Sequence, residues 1–287
     1  MASQDYQHID VAPLSNVVGA ELSKVDLNAL NDSVFAEIKA AFHDYGVVFF
    51  RDQVLSPEQH IALAQRFGGI NVNRFFQPVA GHPQIAEVRK EPSQKGNIGG
   101  NWHTDHSYDE EPAIGSLLYA LEVPETGGDT LFASMEAAYT SLSDGLQRLL
   151  RTLRAKHSSR HVFGTDRHAG EEGDDYRGRL RNADLATQDM VHPVVIKHPQ
   201  TGRACLYVNP GFTLRFEGWT DQESQPLLDY LYAQAVTPEH TCRFRWTPGA
   251  VALWDNRNTW HRALNDYPGE RRLMHRITLQ GTALEAV

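Results

Sequence analysis

The chain has 287 residues, 41% of them hydrophobic, which is enough to bury a large core. A formal charge of -9 and a pI near 5.8, with no basic stripe anywhere, exclude nonspecific binding to nucleic acid or to an anionic membrane surface. Any anionic ligand must therefore meet locally concentrated arginine.

The first ten residues carry neither a basic stretch nor an apolar one, and the longest aliphatic and aromatic runs, such as 47–50, are short. A cytoplasmic protein is expected. Asp32 or Ser33 opens a helical pattern, with Val34, Phe35, Ile38, Ala41 and Phe42 on one face, that runs into Gly46 and a buried strand at 47–50. Ser56, Pro57, Glu58 and Gln59 form a capping box with proline at the first helical position, and Ile61, Ala64 and Phe67 give that helix its apolar stripe.

Residues 114–123 read as a strand, 124–128 as a turn and 130–133 as a second strand; 134–153 reads as one helix with Leu142, Leu146, Leu149, Leu150 and Leu153 inward. The segment 164–188 is crowded with Asp, Glu, Arg and Gly and nearly free of aliphatic periodicity, the composition of a mobile surface loop or an active-site lid. A hairpin follows at 194–208. Thr220 and Glu223 cap a helix, and Cys242, Phe244 and Trp246 alternate with polar neighbours as in a half-buried strand. Cys205 and Cys242 are expected as reduced core residues. No repeat or low-complexity linker marks a boundary. A single α+β domain over 1–287, built around a β-sandwich or open barrel with flanking helices, is expected.

Two separated segments carry the chemistry. His103 and Asp105 lie two apart, so an extended segment points both to one side, where they could ligate one ion or form a hydrogen-bonded surface pair. His8 and Asp10 have the same spacing near the N-terminus but lack the Gly-rich loop 97–101 that precedes His103. At the other end, a strand over 271–280 puts Arg272, Met274, Arg276, Thr278 and Gln280 on one face and Leu273, His275, Ile277 and Leu279 on the other, the aliphatic set beneath a helix. Two inward arginines beside His261 call for anionic partners: structural carboxylates, or carboxylates that arrive as ligands and fit the planar fork of Arg.

These residues resemble the taurine and aryloxyalkanoate (TauD/TfdA-type) group of Fe(II)- and 2-oxoglutarate-dependent dioxygenases. The resemblance runs from Val18, Gly19, Ala20 and Glu21 through WHTD at 102–105, GGDT at 127–130, NPGF at 209–212 and WDNR at 254–257 to His261 and RRLMHR at 271–276. It implies a double-stranded β-helix (jelly roll) fold, Fe(II) held by His103, Asp105 and His261, 2-oxoglutarate held by Thr130 and Arg272, and O2 as co-substrate. It also implies that Arg276 holds the anionic group of a small organic substrate, with His106, Phe163 and Phe212 around it, and that the enzyme is a homo-oligomer. Taurine-cleaving members carry His, Tyr and Asn where this chain has Asn73, Phe76 and Gly99, so an aryloxyalkanoate, sulfonate or sulfate ester with a more apolar body is expected, its hydroxylation leading to C–O or C–S cleavage. Two other readings of the residues are a Zn(II) hydrolase on the same ligands and a non-catalytic jelly roll that binds organic acids.

Overall fold

The computed structural model describes residues 6–165 and 178–287. Its largest sheet runs, in spatial order, Asp10–Pro13, Ala20–Ser23, Val47–Phe50, Val251–Asp255, Ala113–Glu122, Arg272–Gly281, His82–Lys90 and Pro78–Val79, with Ile70–Asn71 also paired to Arg272–Gly281. Facing it is a three-stranded antiparallel sheet made of Thr241–Phe244, Thr130–Ser134 and Thr259–Ala263.

Side chains alternate across a strand, and the buried residues divide on that rule. Val48, Phe50, Leu117, Tyr119, Val251, Leu253, Ile277 and Leu279 pack on the outer side against Ile38, Ala41 and Phe42 of helix Asp32–Tyr45 and Leu63 and Ala64 of helix Pro57–Phe67. Val47, Phe49, Leu118, Ala120, Ala252, Trp254 and Met274 turn inward and meet Phe132, Cys242, Phe244 and Trp246 of the facing sheet. Phe49 stacks on Phe244 with ring centroids 3.9 Å apart. Cover on both faces explains why 47–50 and 251–254 read as unbroken apolar runs.

Both early helices begin where the sequence places them. Asn31 accepts the Val34 N–H, and Ser56 and Gln59 exchange side-chain and backbone bonds in a complete capping box. The expected helix over 134–153 is instead two short helices, Met135–Thr140 and Asp144–Leu150, followed by strand Arg154–Ser158. The Thr140 and Ser141 hydroxyls bond back to carbonyls of the first helix, while Ser143 caps a second one. Leu149 is left 44% exposed.

The hairpin pairs Val195–Lys197 with Ala204–Leu206, and helix Asp221–Ala235 starts from the Thr220 and Glu223 capping box. Cys205 and Cys242 are buried free thiols in different clusters. Of the segment expected as a lid, residues 166–177 lie outside the described residues. The described part that follows them runs beside 75–77, with Gln77 N–H donating to Arg179 O and Arg181 N–H to Phe75 O. Among the described residues no helix is long and apolar enough to cross a membrane.

Candidate active site

His261 lies on strand Thr259–Ala263 of the smaller sheet, and His103 is joined to it by a two-way backbone bridge, N to O at 3.1 Å and 2.8 Å. Residues so paired project to the same side, and the imidazole centroids are 4.1 Å apart. Thr104 between the ligands points the other way, its hydroxyl donating to Asn256 O at 2.5 Å, which leaves Asp105 on the side of His103. The Asp105 oxygens lie 3.7 Å from His103 Nε2 and 4.0 Å from His261 Nε2. One ligand atom from each of the three residues lies within 4.8 Å of the other two.

The protonation states suit a cation. Burial pushes His103 and His261 below the ordinary imidazole value, so both are neutral near pH 7. Burial alone would raise Asp105, but the charge of the Arg276 guanidinium outweighs it and holds the carboxyl well below the usual carboxylate range. Nδ1–H of His103 donates to Asn101 O at 2.8 Å, which leaves the Nε2 lone pair facing Asp105. Two neutral imidazoles and one carboxylate gathered on one side form a donor set that fits a divalent ion with open positions.

Backbone without side chains lets these groups meet. A Cβ at Gly211 would fall 2.7 Å from the His103 Cβ. Gly99 has φ +83°, and a Cβ there would lie 3.3 Å from His103 Cε1.

A cavity of about 500 Å³ extends from this cluster between the two sheets. At one end Arg272 is buried, with Nε and Nη2 finding no partner among the described residues, and burial pulls its pKa down from the usual guanidinium value. Thr130 lies on the same wall and accepts the Trp246 indole N–H at 2.9 Å, so its own hydroxyl proton remains to be donated. At the other end Arg276 donates to both oxygens of Asp105 at 3.2 Å and covers the Phe76 ring, 4.5 Å from its centroid. Phe163 and Phe212 complete an aromatic wall with Phe76, while Ile98, Leu180 and Leu118 add aliphatic surface.

Nine of the eleven residues singled out from sequence thus line one cavity: His103, Asp105, His261, Thr130, Arg272, Arg276, Phe76, Phe163 and Phe212. His106 and Asn73 are buried but do not line it. Asp109 accepts from His106 Nδ1 at 2.8 Å and pairs with Arg74, and His106 Nε2 faces Asn73 Nδ2 at 3.4 Å. Asn73 Oδ1 in turn accepts the N–H groups of Phe75 and Phe76. The two residues thus brace the aromatic wall from behind.

Of the histidines outside the cluster, His157 is fully buried and His240 is 9% exposed, whereas His161 is exposed where it lines the cavity and His168 lies outside the described residues. Sequence reasoning missed the cluster of Asp255, Arg257 and His198, in which Arg257 binds both carboxylate oxygens and His198 Nε2 lies 2.9 Å from one of them. The WDNR run was its only signal.

A family model described as taurine catabolism dioxygenase TauD, TfdA family, matches residues 10–278. The chain belongs to this family. As a TauD/TfdA member it is a 2-oxoglutarate-dependent dioxygenase with a jelly-roll core. It is 36% identical to an alkylsulfatase of Acinetobacter baylyi over 96% of this chain and 86% of that protein. It is 33% identical to the (S)-phenoxypropionate/alpha-ketoglutarate-dioxygenase of Sphingobium herbicidovorans, over 95% of both. Among solved TauD/TfdA structures, a taurine dioxygenase from Burkholderia xenovorans superposes with a TM-score of 0.81 at 35% identity, covering 98% of this chain and 93% of that one.

Proposed function

We propose that the chain is a single Fe(II)- and 2-oxoglutarate-dependent dioxygenase domain that hydroxylates a small organic anion with an apolar body, of the sulfate ester, sulfonate or aryloxyalkanoate class. One observation carries this: two buried guanidinium groups on one strand open into the cavity that holds the His103, Asp105 and His261 cluster, and both have N–H groups without a partner among the described residues, two on Arg272 and one on Arg276. Four residues along a strand span roughly 13 Å, so Arg272 and Arg276 serve two different anions.

Arg272 and Thr130 hold the distal carboxylate of 2-oxoglutarate, whose keto-acid end reaches towards the cluster. His103, Asp105 and His261 hold the iron. Bound there with 2-oxoglutarate, Fe(II) supplies the oxidising power released when 2-oxoglutarate and O2 become succinate and CO2, the second oxygen atom entering a substrate C–H bond. Arg276 fixes the substrate's anionic group, and Phe76, Phe163 and Phe212 pack its apolar body and exclude water, so one C–H is presented to the reacting centre. If that carbon carries a sulfate, aryl ether or sulfonate, the hydroxylated product collapses with C–O or C–S cleavage. The aromatic wall favours a body larger and more apolar than taurine, in keeping with the names of the alkylsulfatase and phenoxypropionate relatives. The two buried free thiols are in keeping with a cytoplasmic setting.

A zinc hydrolase would leave Arg272 and Thr130 without a ligand, and a silent binder of organic acids would have no use for three convergent metal ligands. Anaerobic addition of Fe(II) and 2-oxoglutarate is expected to give a weak visible absorption band that His103→Ala and His261→Ala abolish. Well-folded, metal-loaded protein without the band would rule the dioxygenase out. Succinate release across a panel of sulfate esters, sulfonates and aryloxy acids then identifies the substrate.

A further inference from the structure

Arg276 touches two things at once. Its Nη1 lies 3.2 Å from both oxygens of Asp105, the same atoms that face His103 Nε2 and His261 Nε2. Its Nε is buried without a partner among the described residues, and the guanidinium lies over Phe76 on the cavity wall. Ser116 adds a hydroxyl bond to Asp105 Oδ2 at 3.2 Å, so the carboxylate is already well supplied with donors.

A carboxylate has lone pairs enough for a guanidinium and a metal ion together, so geometry alone does not force a choice. Charge does. A divalent cation held on Asp105 lies within a few ångströms of a buried positive guanidinium, where little water screens the repulsion. An anion on the cavity side of Arg276 cancels that repulsion. Arg272 stands four residues along the strand and makes no hydrogen bond to Asp105, so its charge acts on the cluster more weakly.

We propose that Arg276 couples the two ligands: with no anion on it, it weakens the hold of His103, Asp105 and His261 on a divalent cation, and an organic anion seated on it restores that hold. The two ligands then bind with positive cooperativity, and by reciprocity each tightens the other. This rests on the assignment of Arg276 to the substrate anion made above. It goes further by giving the residue a part in metal retention, so that the cation is held most firmly when a substrate is present to consume the oxidant.

The test is calorimetric titration of the full chain with Co(II), without 2-oxoglutarate, in the presence and absence of saturating hexyl sulfate. Wild type, Arg276→Gln and Arg272→Gln are compared after thermal melts establish that each is folded. Without hexyl sulfate, Arg276→Gln is expected to bind Co(II) about tenfold more tightly than wild type, and Arg272→Gln to change the affinity by much less. Hexyl sulfate is expected to tighten Co(II) in wild type by about the same factor and to do nothing in Arg276→Gln. Equal or weaker Co(II) binding by Arg276→Gln overturns the proposal and makes Arg276 an aligner of Asp105. So does hexyl sulfate that binds wild type with its own heat yet leaves Co(II) affinity unchanged. If hexyl sulfate gives no heat at all, the substrate assignment of Arg276 falls, while the arm without anion still decides whether Arg276 opposes the cation. Should Arg276→Gln fail to fold, the wild-type titrations with and without hexyl sulfate decide the coupling.

Discussion

At the scale of single residues, the most informative side chain is one that is badly satisfied. Arg272 is 5% exposed, with two nitrogens that find no partner among the described residues, and an uncompensated buried charge opposes folding. A guanidinium kept under those conditions is kept for a ligand. Arg272→Met should therefore separate function from stability. Loss of a buried charge-assisted carboxylate contact costs about 2–5 kcal/mol, so half-saturation by 2-oxoglutarate, followed as succinate formed, should rise roughly 30-fold or more. The urea unfolding midpoint should rise at the same time, because the unpaired charge is gone. A lower midpoint with unchanged 2-oxoglutarate dependence would mean that Arg272 is an ordinary structural residue. The residues by themselves left a surface pair at His103 and Asp105 and structural ion pairs at both arginines open, and it was the resemblance carried by separated motifs that assigned the triad and the two arginines to one site; the structure brings all five to one cavity. His106 and Asn73 were not placed correctly, because nothing in the order of residues says whether a polar side chain faces a cavity or braces its wall.

At the scale of elements, the site depends on close approach of backbones. The turn 209–212 lies against His103 so tightly that Gly211 has no room for a methyl group, and the obstructing atom is the His103 Cβ, which is anchored to the main chain. Gly211→Ala must therefore displace His103 or the turn. Changes that disturb a ligand's support lower metal affinity by about 10–100-fold, and the same range is expected here for Co(II), with far-ultraviolet circular dichroism unchanged. Unaltered Co(II) affinity would show that the turn yields and His103 does not. Capping boxes and alternating strands were readable because each signal is local: Ser56 with Gln59, Thr220 with Glu223, and the split of Val47 and Phe49 from Val48 and Phe50. The helix over 134–153 misled because its leucines keep helical spacing across a break made by the Thr140, Ser141 and Ser143 hydroxyls.

At the scale of the whole molecule, His103 and His261 come together only through pairing of chain segments far apart in sequence, and no periodicity predicts that pairing. The order of separated motifs supplied what local pattern could not. Burial of the other histidines was equally hidden, since hydropathy treats every histidine alike, yet it sets how the protein responds to acid. His60, on helix Pro57–Phe67, has no hydrogen-bond partner for either ring nitrogen among the described residues; burial, with a smaller push from His275, lowers its pKa from 6.5 to about 3. Burial likewise takes His43 to about 4. The unfolded chain takes up these protons below about pH 6.5 while the folded chain refuses them until pH 3–4. The stability tied to neutral His60 and His43 is thus fully present above pH 6.5 and is lost progressively as pH falls towards their folded values. Asp105 and Asp255, held below the usual carboxylate range, add their own loss only under about pH 3.8, so the two effects occupy different windows. Urea midpoints measured from pH 7.5 down to 4.5 should fall for the native sequence and fall less steeply for His60→Leu, which keeps an apolar side chain in that place and removes the proton site. Parallel curves for the two proteins would mean that His60 is protonated as easily folded as unfolded, and that its burial against Tyr119 carries no such cost.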